Sequence, residues 1–135
     1  MTHLDSSALI DLYREEARER PGPAFEALEL MEDHEVLGVS VHVVCELRVG
    51  AELSRKPARE HEELDRLLSG LVIVYPDARF ATTYARLMAS IERSGKRLAA
   101  MDLLIATAAL LDEATLMTRN VKDFSRVPGL RLLEY

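Results

Sequence analysis

A three-layer α/β domain, its central and mainly parallel sheet flanked by helices, is the fold class this sequence predicts. Three observations predict it. Short stretches of strand character alternate with longer helical ones along the whole chain. The run Leu71-Val72-Ile73-Val74-Tyr75 is continuous, β-branched and bounded by Gly70 and Pro76, which makes it the clearest strand. Met101 to Leu111 is a helix so apolar and alanine-rich that it has to be buried.

In order, His3-Leu4-Asp5 reads as a short strand, and Ser6 or Ser7 as the cap of a helix that turns Leu9, Ile10, Leu12 and Tyr13 toward the core. Pro21-Gly22-Pro23 breaks the chain before a second helix with Phe25, Leu28, Leu30 and Met31. Val36 to Val39 is a strand, and Ser40 caps a helix through Val44, Leu47 and Leu53. Pro57 suits the first turn of the next helix, which Gly70 stops. After the Leu71–Tyr75 strand, Asp77 caps a helix carrying Phe80, Tyr84, Leu87, Met88 and Ile91, which Gly95 ends. Leu116-Met117-Thr118 and Leu130-Arg131-Leu132 are the last strands. With no repeat, low-complexity tract or linker, residues 1–135 read as a single domain.

The composition, 48% apolar and 30% charged over 135 residues, is that of one globular domain. The lone cysteine, Cys45, makes no internal disulfide, and the N-terminus has neither a basic start nor a spanning run. A cytoplasmic protein is expected. The net charge of −6 argues against a protein that coats nucleic acid by bulk attraction, yet the charge is uneven. Residues 1–67 carry 16 acids and 8 Lys/Arg, a net −8; residues 68–135 carry 7 and 9, a net +2.

In a parallel sheet, ligands bind at the carboxyl ends of the strands. That rule selects a few acids from the 23 in the chain. Asp5 ends the first strand, as a cap, a site residue or both. Glu46 interrupts the apolar VSVHVVCELRVGA, so it is either paired or cation-bound within a buried helix, or part of a solvent-facing stripe with His42 and Arg48. Asp102 is the only charge in MDLLIATAALL, at a helix start. Asp123 follows the Leu116–Thr118 strand, with Thr118 and Asn120 before it.

Taken together, LDSSALIDL, VCELRVGA, MDLLIATAALL and TRNVKDFSRVPGL resemble the four signature segments of PIN-domain nucleases, and more narrowly of VapC toxins from toxin–antitoxin pairs. The resemblance covers nearly the whole chain as one PIN domain over residues 1–135. It implies a PIN-like fold and a metal-dependent endoribonuclease. Asp5, Glu46 and Asp102 match the family's three regular acids; Asp123 matches the fourth, with Thr118 and Asn120 in its TxN element. Ser6 stands where Thr is frequent, and AAMD replaces a polar or proline-containing approach to the third acid.

Four converging carboxylates repel one another, and a divalent cation removes that penalty. Mg2+, with Mn2+ as a substitute, is the expected cofactor, because it takes oxygen ligands and keeps several waters. Asp5 and Asp102 are the expected direct ligands; Glu46 completes the shell or positions the attacking water, and Asp123 holds a second metal or an outer-shell water. Arg119 and Lys122 beside the site, and Arg93, Lys96 and Arg97 before Asp102, are the expected contacts to RNA phosphates. His3, His34, His42 and His61 read as structural or surface residues. The resemblance further implies a VapB-like antitoxin and a homodimer. The other readings are a catalytically silent PIN-like binding module and a receiver-like signalling domain. A receiver-like domain needs paired acids at the first strand end, where Ser6 and Ser7 stand instead.

Overall fold

The computed structural model describes residues 1–135. The elements run β1 (Thr2–Leu4), α1 (Ser6–Ala17), α2 (Pro23–Glu29), β2 (Leu37–Ser40), α3 (Val41–Glu52), α4 (Pro57–Leu68), β3 (Val72–Val74), α5 (Phe80–Arg93), α6 (Ala100–Leu111), β4 (Thr115–Met117), α7 (Val121–Phe124) and β5 (Arg131–Leu133). The sheet is wholly parallel, in the order β3-β2-β1-β4-β5. Every strand-to-strand connection carries at least one helix, which is what a parallel pair requires.

Thr2 at the start of β1 lies opposite both Leu37 of β2 and Thr115 of β4, so β1 is the central strand. Receiver-like and flavodoxin-like sheets run 2-1-3-4-5. The order here is different, and it removes the receiver-like alternative.

The core follows from composition. Leu4, Val39 and Leu116 come from three adjacent central strands, and Leu103, Ile105, Ala106 and Ala109 from α6. Small side chains let α6 lie close to its neighbours, and its only charge, Asp102, stays in the first turn. By contrast, the run with the clearest strand character is at the sheet edge. Val72 is 48% and Tyr75 67% exposed, because β3 has a neighbour on one side only. One close approach depends on glycine. A Cβ on Gly38 would come within 3.2 Å of the ring of His3, which is wholly buried on the adjacent strand.

Several boundaries shift by a residue. β1 stops at Leu4, and Asp5 is the N-cap of α1, its carboxylate accepting the Ala8 N–H at 2.9 Å. Ser6 and Ser7 are therefore inside the helix and do not cap it. The last two strands are Thr115–Met117 and Arg131–Leu133, so Thr118 lies just past a strand end. Ser40 caps α3 as expected, accepting the Val43 N–H at 3.3 Å. Asp77 does not cap α5; it closes a turn onto the Arg79 N–H at 2.8 Å and the Arg79 guanidinium.

Candidate active site

Asp5 is the most constrained of the four acids. It is only 4% exposed, at the end of the central strand. One oxygen accepts the Ala8 N–H and the Ser7 hydroxyl at 2.7 Å; the other accepts the Thr118 hydroxyl across 113 residues. Thr118, fully buried, accepts in turn the Asn120 N–H at 2.9 Å. The chain past β4 is thus tied to the chain past β1 through one carboxylate. Asp5 is both a helix cap and a candidate site residue, and of its two oxygens the one bonded to Thr118 keeps a lone pair for a further partner.

Glu46 arrives differently. Of the two readings of this helix the solvent-facing one holds for Glu46: Val43 and Ala51 are the buried residues of α3, and Glu46 and Cys45 are exposed. No desolvation penalty forces Glu46 into a pair. Its link to the cluster is the Ser6 hydroxyl, donated to it at 2.6 Å. His42 turns away and packs on Phe80 with ring centroids 5.3 Å apart.

Asp102 is half-buried at the third position of α6, whose N-cap is Ala99. It is therefore not the cap. Burial, and then repulsion from Glu46, Asp123 and Asp5, holds its carboxyl above the ordinary carboxylate value. Acids from α1's start, α3 and α7 are thus near enough to Asp102 in α6 to act on it. Asp123, in α7, accepts from the Asn120 amide at 3.1 Å and pairs with Arg126 at 3.4 Å.

No three His, Cys, Asp or Glu side chains stand close enough to grip one ion as they are. The donor set nevertheless fits a hard cation that keeps most of its waters. All four groups offer oxygen, their mutual repulsion is uncompensated at Asp102, and one or two direct carboxylates suffice for Mg2+.

Of the basic residues, Arg119 is the one tied directly to the cluster. Arg119, 59% exposed, donates its N–H to the Ser7 hydroxyl at 3.1 Å and pairs with Asp11 at 3.3 Å. Lys122, Arg93, Lys96 and Arg97 are exposed. Sequence reasoning missed Arg126, which neutralises Asp123 and donates to the Arg97 carbonyl at 2.7 Å, joining α7 to the turn before Asp102. It also missed Asp11 and Tyr135. The Tyr135 hydroxyl donates to Asp11 at 2.8 Å, and burial together with that carboxylate raises its pKa, so it stays a donor. The cue in the sequence was position: Asp11 lies four residues beyond Ser7, on the same face of α1.

Comparison with known proteins gives one answer. The PIN domain family model matches residues 3–130. Ribonuclease VapC2 of Rickettsia felis is 35% identical over 112 residues, covering 83% of this chain and 84% of that protein. The tRNA(fMet)-specific endonuclease VapC of Shigella flexneri is 31% identical over 93 residues, covering 69% and 70%. Among solved structures, VapBC2 from Rickettsia felis bound to a DNA fragment from their promoter superposes with a TM-score of 0.85 at 31% identity, covering 100% of this chain and 99% of that one. VapBC-1 from nontypeable Haemophilus influenzae gives 0.87 at 26% identity, covering 98% and 96%. The chain belongs to the PIN-domain family, among its VapC ribonucleases.

Proposed function

We propose that this protein is a divalent-metal-dependent endoribonuclease, the toxin of a VapBC-type pair, with Mg2+ as its ion and Mn2+ as a working substitute. What carries this is the match to the PIN-domain family over residues 3–130, together with Asp5 held at the end of the central strand by Ala8, Ser7 and Thr118. Nearby, burial and then the charges of Glu46, Asp123 and Asp5 hold the Asp102 carboxyl up. Such an arrangement costs stability and is kept for chemistry. The names of the relatives, ribonuclease and endonuclease, agree with it.

Asp5 and Asp102 would hold the ion directly, with Glu46 and Asp123 reaching it through water. When bound, the ion makes a coordinated water more acidic and neutralises charge on the phosphate. Thr118, Ser7 and the Ala8 N–H fix the orientation of Asp5. Glu46, steadied by Ser6, is the group free to orient the attacking water. Asn120 holds Asp123 and presents its own polar edge to an incoming phosphate, flanked by Arg119 and Lys122. No histidine takes part: His3 is bonded to Asp112 at 2.8 Å, and His42 is packed on Phe80.

A VapB-like antitoxin is the proposed partner, since the solved neighbours are VapBC pairs. An apolar groove of about 220 Å³ beside Glu46, lined by Leu9, Ile10, Tyr13, Leu47 and Leu64, suits a partner helix. The reading is tested with purified protein and labelled structured RNA. Cleavage is expected with Mg2+ or Mn2+ and none with EDTA, and Asp102→Asn should abolish it. Cleavage that persists in EDTA, or in that variant, overturns the proposal.

A further inference from the structure

We infer that one face of α1 is a track for the single-stranded RNA flanking the cleaved bond, with successive phosphates on Arg119, Arg14 and Arg18. The inference deepens the nuclease reading above and rests on it. A depression of about 370 Å³ adjoins the acidic cluster, lined by Asp11, Arg14, Glu15, Arg18, Arg119 and Tyr135. It contains three cations and two acids, and the acids are already occupied. Asp11 accepts from the Tyr135 hydroxyl and pairs with Arg119. Glu15 is turned toward the start of α2, accepting the Ala24 N–H at 3.0 Å and the Phe25 N–H at 2.8 Å. Gly22 allows that turn, since a Cβ there would lie 2.5 Å from the Glu15 carboxyl.

The arginines are not occupied in the same way. Arg14 and Arg18 are exposed and take part in no ion pair, whereas Arg48, Arg66, Arg79 and Arg126 are each paired with a carboxylate. Arg119 spends part of its five-donor fork on Asp11 and keeps the rest. Four residues of helix set Arg14 and Arg18 roughly 6 Å apart along the axis, and Arg18 lies roughly 20 Å from Asp5. An extended RNA strand repeats its phosphates at a similar interval, so two or three nucleotides beyond the reacting phosphate fit this length. The depression also begins where the site ends, at Arg119, whose N–H is held by Ser7, itself bonded to Asp5.

The test is fluorescence anisotropy of an end-labelled oligouridylate in EDTA, titrated with salt. The proteins are the parent, Arg14→Ala/Arg18→Ala, Arg14→Lys/Arg18→Lys, and a control pair elsewhere, Arg55→Ala/Arg59→Ala, each with a melting curve to check folding. The alanine pair should weaken binding about tenfold and lower the slope of log affinity against log salt by about 1.4, some 0.7 for each lost phosphate contact. The lysine pair should keep the slope, and the control should match the parent. An unchanged slope in the alanine pair, or an equal loss in the control, overturns the inference. So does an oligoglutamate that binds this face as tightly as the RNA, which would make it an acidic-peptide site. Cleavage by the parent in Mg2+ is scored separately. If the parent cleaves and the alanine pair binds like the parent, this inference alone fails; if the parent cleaves no RNA, the nuclease reading fails, and this inference with it.

Discussion

Two ends of the same cluster carry the same side chain in opposite circumstances. At the end of β1, Asp5 is buried and well bonded, with Ala8, Ser7 and Thr118 all donating to it. At the start of α6, Asp102 is half-buried with other carboxylates around it, and its carboxyl is held up by burial and repulsion. The first charge supports the fold and the second strains it. The lesson is that neighbouring carboxylates of one fold differ in what holds them: donors supplied by the fold at Asp5, and burial without a donor at Asp102.

The largest way to break this comparison is catalytic. Asp5→Asn and Asp102→Asn should both lose at least roughly 100-fold in RNA cleavage with Mg2+, the scale on which loss of a group acting on transition-state charge or protons is felt. If both cleave as well as the parent, the assignment is wrong. The two sites should then separate on stability. Asp5→Ala removes a cap, worth about 1 kcal/mol, and orphans the buried Thr118 hydroxyl, worth about 1–3 kcal/mol more. Denaturant unfolding should show the sum. Asp5→Asn, which still caps, should lose less, so activity and stability come apart at one position. Thr118→Val should cost about 1–3 kcal/mol, because it strips Asp5 of a donor and leaves the Asn120 N–H without its acceptor.

Asp102→Asn should do the reverse. In EDTA it should gain up to about 1 kcal/mol, the scale of a partly exposed charge interaction, and melt a few degrees higher. Saturating Mg2+ should close the gap by stabilising the parent. Because the fold raises the Asp102 pKa, the parent's metal-free deficit is full above the raised value and shrinks as pH falls through it. The smallest effect is expected far from the cluster. Burial lowers the His3 pKa despite the bond to Asp112, so its contribution is full above the ordinary value of 6.5 and is lost as pH falls below it. A scan of melting temperature against pH should show that decline in the parent and a flatter profile in His3→Leu.

Much of this was legible beforehand, for identifiable reasons. Alternating elements announced a parallel sheet, and a parallel sheet has one edge where helix starts and strand ends meet, so Asp5, Asp102 and Asp123 could be picked out by position. For Glu46 burial is no argument, since α3 is half exposed there and the residue pays no burial cost; the family pattern singled it out instead. Ser6 and Ser7 looked like caps because serine caps well; in the fold Asp5 takes that place and frees both hydroxyls for Glu46 and Asp5. Tyr135 and the bond from Arg126 to the Arg97 carbonyl left no sequence signal, because their partners are distant along the chain, whereas the Arg126–Asp123 pair is an i,i+3 spacing that could have been read.

Residue order, then, was enough to determine the α/β class, the burial of α6 and the kinds of side chain available for chemistry, because periodicity and helix-end preferences act over a few residues. Tertiary structure alone decided that β1 is central and the strongest strand run lies at an edge. It also decided that Thr118 reaches Asp5, and that one acid of the pair is satisfied while the other is not. Hydrogen bonds and repulsions across a hundred residues depend on where the sheet order places each loop, and strand order is not written into any local stretch of the chain.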